Sequence, residues 1–530
     1  MLRRKQIASY IDANFGKSPL DGGMYYDATN RIKLVRAYYE MKMDDTQVDE
    51  ITWEDLEMDH VFLTVNHANC FAGEQILYDQ LHRTEILGSA EQREKYERQL
   101  DAWLEHPKER LQVEEKLYEI GKFKNDYLFA SLIESVDQWS VDNIWFLHLM
   151  QGLLAVCLLG TIMLKSQMCG VELMVVIAVN LMIYLRTKNR YEVFFSALGS
   201  LKKLYDFADW ITHRNMEMSV WIDQQQAKEA VSQTRKLVRK IMPFGIRKQG
   251  VNNGELSAIL ADYLWGITLM DCAALNHMVR LIMEQKQAVY TLYKFAGQVD
   301  AQIAVASYRK SLTKWCKPEM EHGRIAARGL VHPLLSHAVG NDFVLENRAI
   351  ITGANASGKS TFMKAMAINA ILAQTIHTCT ADEFQVSKVQ VMTCMSLRDD
   401  VESGESYYFR EAKYLRRILH QIKEKGKVFC VIDEIFKGTN TTERIAASKA
   451  LLEYLVQTDA FVLVATHDRE IVDNAFYYNY YYFESEVMEH DIVFDYKIRE
   501  GFGGKSNAIA LLELLGYPQE IVQKAREYVI

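Results

Sequence analysis

Proline is scarce in this chain, six residues in 530, and glycine reaches only 27. So few residues that end helices or bend loops mean long uninterrupted elements, mostly helical, and rule out a collagen-like or loop-dominated chain. Cysteine is thin and scattered: eight residues with no Cys-x-x-Cys pair. Zinc ribbons and thioredoxin-type redox chemistry therefore have no basis, and spread-out thiols suit a reducing compartment. An excess of positive charge is missing too. Sixty-one Lys and Arg against 69 Asp and Glu give a net charge of −8, so any nucleic-acid contact has to come from a local basic patch. The opening MLRRKQIASYIDANFG has charge but no apolar stretch behind it, and no cleavable signal is expected.

What is present is the mix of a chain that buries a core, 49% apolar and 25% charged, with a length that suggests two to four domains. Up to about residue 140, charged and apolar positions alternate at helical spacing, as from Ala90 to Leu117. This predicts mostly helix, with a turn near Asp21-Gly22-Gly23.

The composition then changes sharply. NIWFLHLMQGLLAVCLLGTIML, from Asn143 to Leu164, has no charged side chain. A KSQMCG connection leads to VELMVVIAVNLMIYL, ending at Leu185. The first run, about 22 residues, is long enough to cross a bilayer core of roughly 30 Å at about 1.5 Å per residue. Arg186, Lys188 and Arg190 follow the second run, whereas the connection carries only Lys165, and Trp139, Trp145, Tyr184 and Tyr191 flank the pair. That asymmetry predicts a transmembrane hairpin over 143–186 with both ends in the cytoplasm. Glu172, His148 and Gln151 fit the competing reading, a hairpin buried in a large helical domain.

Amphipathic helix returns from 191 to about 315. Within it, QTRKLVRKIMPFGIRKQG (Gln233 to Gly250) holds Arg235, Lys236, Arg239, Lys240, Arg247 and Lys248 and no acidic residue. Such a stretch can face the phosphates of DNA or an anionic lipid surface beside the hairpin. The plainer alternative is a solvated helix face ended by Pro243.

The last 200 residues carry the chemistry. An apolar strand, Arg348 to Thr352, runs into GANASGKST (Gly353 to Thr361) and then an apolar-periodic helix. This is the strand, glycine loop and helix order of a P-loop. Its residues Gly353, Ala354, Asn355, Ala356, Ser357, Gly358, Lys359, Ser360 and Thr361 would curl around phosphates, with backbone N–H groups and the helix N-terminus pointing inward. Lys359 would reach the β- and γ-phosphates and Ser360 would ligate magnesium. A second strand from Lys427 to Ile432 ends in Asp433-Glu434. There Asp433 is placed to hold the metal and Glu434 to polarise the attacking water. A third strand, Ala460 to Ala465, delivers Thr466-His467-Asp468, putting His467 in reach of the γ-phosphate. Between the first two motifs, SGESYYFREAKYL from Ser403 has the small residues of a second phosphate-binding helix start.

These segments resemble the MutS family of DNA mismatch-repair ATPases, a branch of the ABC superfamily. GANASGKST is similar to the family's GPNMGGKST, keeping Asn355, with Ala354 in place of the proline and Ser357 in place of the first paired glycine. DEIFKGTNT (Asp433 to Thr441) is similar to DEIGRGTST, and ATHDREI to ATHYFEL. SGESYYFREA is similar to SGRSTFMVEM, keeping Ser403, Gly404, Ser406 and Glu411. Trp315, Pro318, His332-Pro333, Lys505-Ser506-Asn507-Ala508 and Gly516-Tyr517-Pro518 fit the same pattern, and FAGEQILYDQL (Phe71 to Leu81) resembles the start of the family's core and lever domain.

The resemblance implies an α/β ABC-type P-loop ATPase domain over 316–530, behind a mainly α-helical core and lever domain. That domain would comprise residues 1–142 and the returning helices 187–315, interrupted by the hairpin. It further implies ATP and magnesium at a composite site, with Ser403, Gly404 and Ser406 acting in trans from the other chain of a homodimer. The partner would be DNA, mismatched or branched. The ATPase and lever would be cytoplasmic, anchored to the cell membrane through the hairpin. About 60 residues precede the core-like segment, too few for the family's mismatch-reading domain, and no Phe-x-Glu wedge occurs there. An extra C-terminal dimerisation module and a nuclease tail are likewise not expected. The alternative is a membrane-anchored ATP-driven switch acting on a protein partner without DNA.

Overall fold

The computed structural model describes residues 2–19, 24–44, 47–139, 144–165, 167–214, 224–252, 256–320, 323–354, 356–395, 407–472, 477–487, 492–503, 509, 512–513 and 515–528. The chain is helical as far as Ser311 and continues as an α/β sheet domain. The turn expected at Asp21-Gly22-Gly23 lies outside the described residues.

The amphipathic run from Ala90 is two helices, Ala90–Glu105 and Pro107–Ile120, parted at His106. Pro107 accounts for the break, since its ring disfavours helical backbone in the preceding residue yet suits a first turn. Ser89 and Gln92 close the start of the first helix in a reciprocal capping box. Helix Phe71–His82 packs along helix Lys286–Ser311. Two glycines make the approach close. A Cβ on Gly73 would lie 2.1 Å from Asp300 Oδ2, and one on Gly297 would lie 2.8 Å from Ala72 O. The buried Asp300 carboxylate accepts the N–H groups of Asn69 and Cys70 at 2.9 and 2.8 Å, satisfying donors at the start of the shorter helix.

The apolar segment forms helices Ile144–Leu164 and Gln167–Thr212. The connection is shorter than the sequence suggests. Most of KSQMCG is helical, and Lys165 turns the chain in the left-handed region at φ 48°. The second limb does not stop near 186; it runs on unbroken for 46 residues. Its far half is locked into the helical core through Phe194, Leu198, Leu201, Leu204, Phe207 and Ile211. Its near half and the first limb face outward. Both limbs are long and apolar enough to cross a membrane, and only 17% of each apolar window is buried. Most of both apolar windows is thus exposed rather than packed inside the helical core of this chain.

Helix Gln225–Asn252 packs on both the long limb and helix Lys286–Ser311. It continues through Pro243, where the sequence suggests an end. A mid-helix proline costs about 3 kcal/mol, and the buried face made by Ala227, Ala230, Val231, Leu237, Val238 and Ile241 offsets that cost.

The α/β domain has strands β1 (Glu319–Met320), β2 (Ile325–Leu330), β3 (Asn341–Leu345), β4 (Arg348–Thr352), β5 (Glu383–Val386), β6 (Gln390–Cys394), β7 (Val428–Asp433), β8 (Phe461–Ala465), β9 (Asn479–Val487) and β10 (Ile492–Glu500). A smaller sheet has the order β1-β5-β2-β3 and a larger one β10-β9-β4-β8-β7-β6. In the larger sheet β9, β4, β8, β7 and β6 run parallel, and β10 pairs antiparallel at the edge. The unbroken apolar runs of β7 and β8 are what a parallel strand covered on both faces requires. Register aligns three carboxyl ends, with Ile351 and Asp433 both opposite Ala465. One apolar cluster joins Phe62, Phe71 and Val289 of the helical part to Met366, Ile371, Val391 and Phe429 of the α/β domain.

Candidate functional site

The tips of β4, β7 and β8 deliver three loops to one edge of the larger sheet, where ligands of parallel sheets gather. The first loop links β4 to helix Lys359–Thr375. Gly353 and Gly358 have φ of 142° and 103°. A Cβ on Gly353 would stand 2.8 Å from Phe483 O, so this curl needs glycine on both conformational and steric grounds. Ala354, Ala356 and Ser357 complete the described part of the loop; Asn355 lies outside it. Lys359 is buried, and its Nζ donates to Gly353 O at 2.6 Å and Ala354 O at 2.9 Å. Burial pulls its pKa below the ordinary lysine value, against the attraction of Asp433 and Glu434. Ser360 and Thr361 are exposed at the helix start.

The second loop follows β7. Ser360 Oγ donates to Asp433 Oδ2 at 2.5 Å, tying the first loop to the second. Glu434 sits at φ 61°, a region non-glycine residues rarely enter, with its N–H on Ala465 O at 3.0 Å. Its two carboxylate oxygens are held separately: Oε1 lies 3.1 Å from His467 Nδ1 and Oε2 lies 3.3 Å from Lys437 Nζ. Burial would raise the Glu434 carboxyl, but Lys437 and His467 outweigh it and hold it below the usual carboxylate value. The same pair works in reverse on Lys437. Burial alone would lower it, yet Glu434 and Asp433 hold it above the ordinary amine.

His467 arrives from β8, steadied by its neighbours. Asp468 takes the Thr466 hydroxyl oxygen as acceptor for its N–H at 3.1 Å and pairs with Arg444 at 3.1 Å. Ser403, Gly404 and Ser406 lie outside the described residues. The helix that follows them, Tyr407–Lys425, does reach the site. Its Glu411 accepts the N–H groups of Lys437 and Gly438 at 3.1 and 3.4 Å.

Two residues of the site have no counterpart among the expected ones. Lys437 stands three places after Glu434 inside DEIFKG, and that spacing is the only signal of it in the sequence. Tyr496 has no local signal. The β10 ladder shifts register between Phe494 and Ile498, and Tyr496 takes φ 54° there. Asn341 fixes the bulge, donating to Tyr496 O at 3.0 Å and accepting from Ile498 N at 2.9 Å. The Tyr496 ring thereby comes within 3.1 Å of where a Gly358 Cβ would be. A cavity of about 740 Å³ is lined by Lys359, Asp433 and Glu434 together with His332, Val339 and Tyr496. That is the size of a small-molecule site.

Among the described residues no group of three or more His, Cys, Asp or Glu gathers to hold a metal unaided. The hydroxyl of Ser360 and the carboxylate of Asp433 converge as a pair of oxygen donors, which fits magnesium, a hard cation that keeps waters and takes phosphate oxygens as further ligands. The basic residues lie elsewhere, in the helical part. Arg235, Lys236, Arg239 and Lys240 are exposed on helix Gln225–Asn252, while the side chains of Arg247 and Lys248 lie outside the described residues.

A mainly helical region feeding an α/β sheet domain, with a glycine loop set against two strand-tip carboxylates, defines the class. Residues 349–530 match MutS domain V. The chain is 30% identical to the DNA mismatch repair protein MutS of Pseudothermotoga lettingae over 269 residues, 48% of this chain and 32% of that protein. It is 32% identical to MutS protein homolog 4 of Homo sapiens over 270 residues, 47% of this chain and 28% of the relative. With the DNA mismatch repair protein MutS of Fusobacterium nucleatum the identity is 31% over 305 residues, 53% and 34% of the two chains. The similarity to these proteins covers about half of the chain, which spans about a third of their length.

Proposed function

We propose that this protein hydrolyses ATP to ADP and phosphate at the edge of the larger sheet and uses that cycle to act on DNA. The observation that carries the reading is the placement of Glu434, ionised and gripped between His467 and Lys437, beside the linked Ser360 and Asp433. The N–H groups of the 353–361 loop and the N-terminus of helix Lys359–Thr375 bind the phosphates. Lys359 exchanges its loop carbonyls for β- and γ-phosphate oxygens. Magnesium, held by Ser360 and Asp433, would neutralise charge on the phosphate oxygens. Glu434 accepts the proton of the attacking water, and His467 orients that water and the γ-phosphate. Tyr496 offers a ring for the base to lie on.

The segment Ser403, Gly404 and Ser406 completes the site from a second copy, so turnover requires a dimer. DNA as the partner rests on the similarity to the named mismatch repair proteins. The outward-facing hairpin supports anchoring in a membrane, with the ATPase and lever on the cytoplasmic side. The test is ATP hydrolysis by the detergent-purified full chain, alone and with homoduplex, mismatched and branched DNA. Stimulation by DNA is expected. Robust hydrolysis indifferent to every DNA would remove the DNA partner and leave the ATP engine.

A further inference from the structure

A third apolar element adjoins the hairpin. Helix Leu256–Ile267, LSAILADYLWGI, presents Leu256, Leu260, Tyr263 and Leu264 to the outside, exposed by 71, 57, 47 and 62%. Their spacing puts them on one stripe of the helix. Twelve residues rise only about 18 Å, too little to span a bilayer. The stripe is therefore not a third crossing.

The end of this helix is fastened to both limbs of the hairpin. Gln151 Nε2 donates to Thr268 O at 3.1 Å, and Asn180 Nδ2 donates to Ile267 O at 2.9 Å. Gly266 lies against Tyr184, where a Cβ would come within 2.6 Å of the ring. Gln151 and Asn180 are uncharged polar residues within the apolar limbs, and both serve the same purpose. Each satisfies a carbonyl at a helix end that has lost its helical partner, a need that is acute where water is excluded.

The attachment also fixes depth. Asn180 precedes Arg186, the first charge after the second apolar run, by six residues, or about 9 Å; Gln151 follows Ile144 by seven, or about 10 Å. The two limbs agree. A helix held about 5–10 Å inside the polar boundary lies where headgroups meet acyl chains, the depth at which amphipathic helices bind. The preceding helix exposes Arg235, Lys236, Arg239 and Lys240, in a stretch without an acidic residue, a charge suited to anionic headgroups.

We propose that helix Leu256–Ile267 is a lipid-interface helix, inserting its leucine stripe into an anionic bilayer while the basic face of helix Gln225–Asn252 meets the headgroups. The inference rests on the hairpin being membrane-inserted. The test reconstitutes the full chain, with Cys169 and Cys316 changed to Ser, in vesicles of phosphatidylcholine and phosphatidylglycerol in equal parts. Bimane is attached at Leu260→Cys or, separately, at Val156→Cys, and quenched by lipids brominated at shallow or deep acyl positions. Bimane at 260 is expected to lose about half its emission to shallow bromines and much less to deep ones, with the opposite order at 156. Quenching at 156 but not at 260 overturns the interface helix and spares the hairpin; no quenching at either overturns the hairpin as well. Reversing Arg235, Lys236, Arg239 and Lys240 to Glu should reduce the shallow quenching at 260 to its level in pure phosphatidylcholine. Unchanged quenching together with lost duplex DNA binding would assign the basic face to DNA and overturn the headgroup contact.

Discussion

Arg309 and Glu97 form a buried two-pronged ion pair, with Nη1 to Oε2 at 2.9 Å and Nη2 to Oε1 at 2.5 Å. The pair joins the helical part to the segment just behind helix Lys359–Thr375. Glu97 also meets His377 Nδ1 at 2.8 Å, and Arg309 donates to His377 O and Thr378 Oγ1, both at 2.8 Å. Burial would raise the Glu97 carboxyl, but Arg309 and His377 hold it well below the usual range. Removing one partner strands the other charge in the interior. Arg309→Met is expected to cost about 3–5 kcal/mol, read as a drop in the denaturation midpoint in detergent. Adding Glu97→Leu should recover part of the loss; a double variant as unstable as the sum would show the charges are independent.

Glu434→Gln keeps the shape of the site and removes the proposed base. Hydrolysis should fall by about 10²–10⁴-fold while ATP binding persists, measured by phosphate release beside equilibrium binding of a fluorescent ATP analogue. Wild-type turnover in this variant would exclude Glu434 as the base. Lys359→Ala should lose nucleotide binding itself. Ser406→Ala should slow turnover of the dimer and leave binding intact.

In the proposed mechanism Lys437 acts through Glu434. It contributes to holding that carboxyl below its ordinary pKa, so Lys437→Met should let the pKa rise. A base whose pKa rises loses its ionised form at higher pH. The acid limb of the kcat/KM profile should move toward neutrality, and Lys437→Arg should restore it. An unshifted limb with reduced activity would mark Lys437 as structural.

His82 stacks on Trp53 and Tyr39 at 3.5 and 3.7 Å between ring centres, and burial pushes its pKa down to about 3. Burial brings His67 down to about 3 as well. An unfolded histidine titrates near 6.5, so the unfolded chain takes up protons that the folded one refuses. The stability each contributes is whole above about pH 6.5 and drains away as the pH falls toward 3. The slope is about 1.4 kcal/mol per pH unit and group. Melting temperature should therefore fall from pH 7.5 to 5, and His82→Gln should flatten the decline.

The strand and loop frame of the candidate site was legible because its signals are local. A strand, a glycine loop and a helix are consecutive in sequence, and β7 and β8 announce themselves as apolar runs that end in polar residues. What stayed hidden depends on partners far along the chain. Tyr496 reaches the loop only because Asn341 holds a bulge from 155 residues away. Glu97 and Arg309 meet across 212 residues. Pro243 predicts a helix end, and packing on two long helices overrides it. Gln151 and Asn180 read as blemishes in an apolar hairpin until the carbonyls they satisfy are seen.

The helix Gln167–Thr212 has one end in the packed core and the other at the hairpin tip. Forty-six residues make a rod about 69 Å long that resists bending within a turn or two. A tilt of about 10° at its packed end swings the tip by roughly 12 Å. If the hairpin sits in a bilayer as proposed, that sweep would push lipid aside, and the stiffness and tension of the membrane would load any movement of the rod.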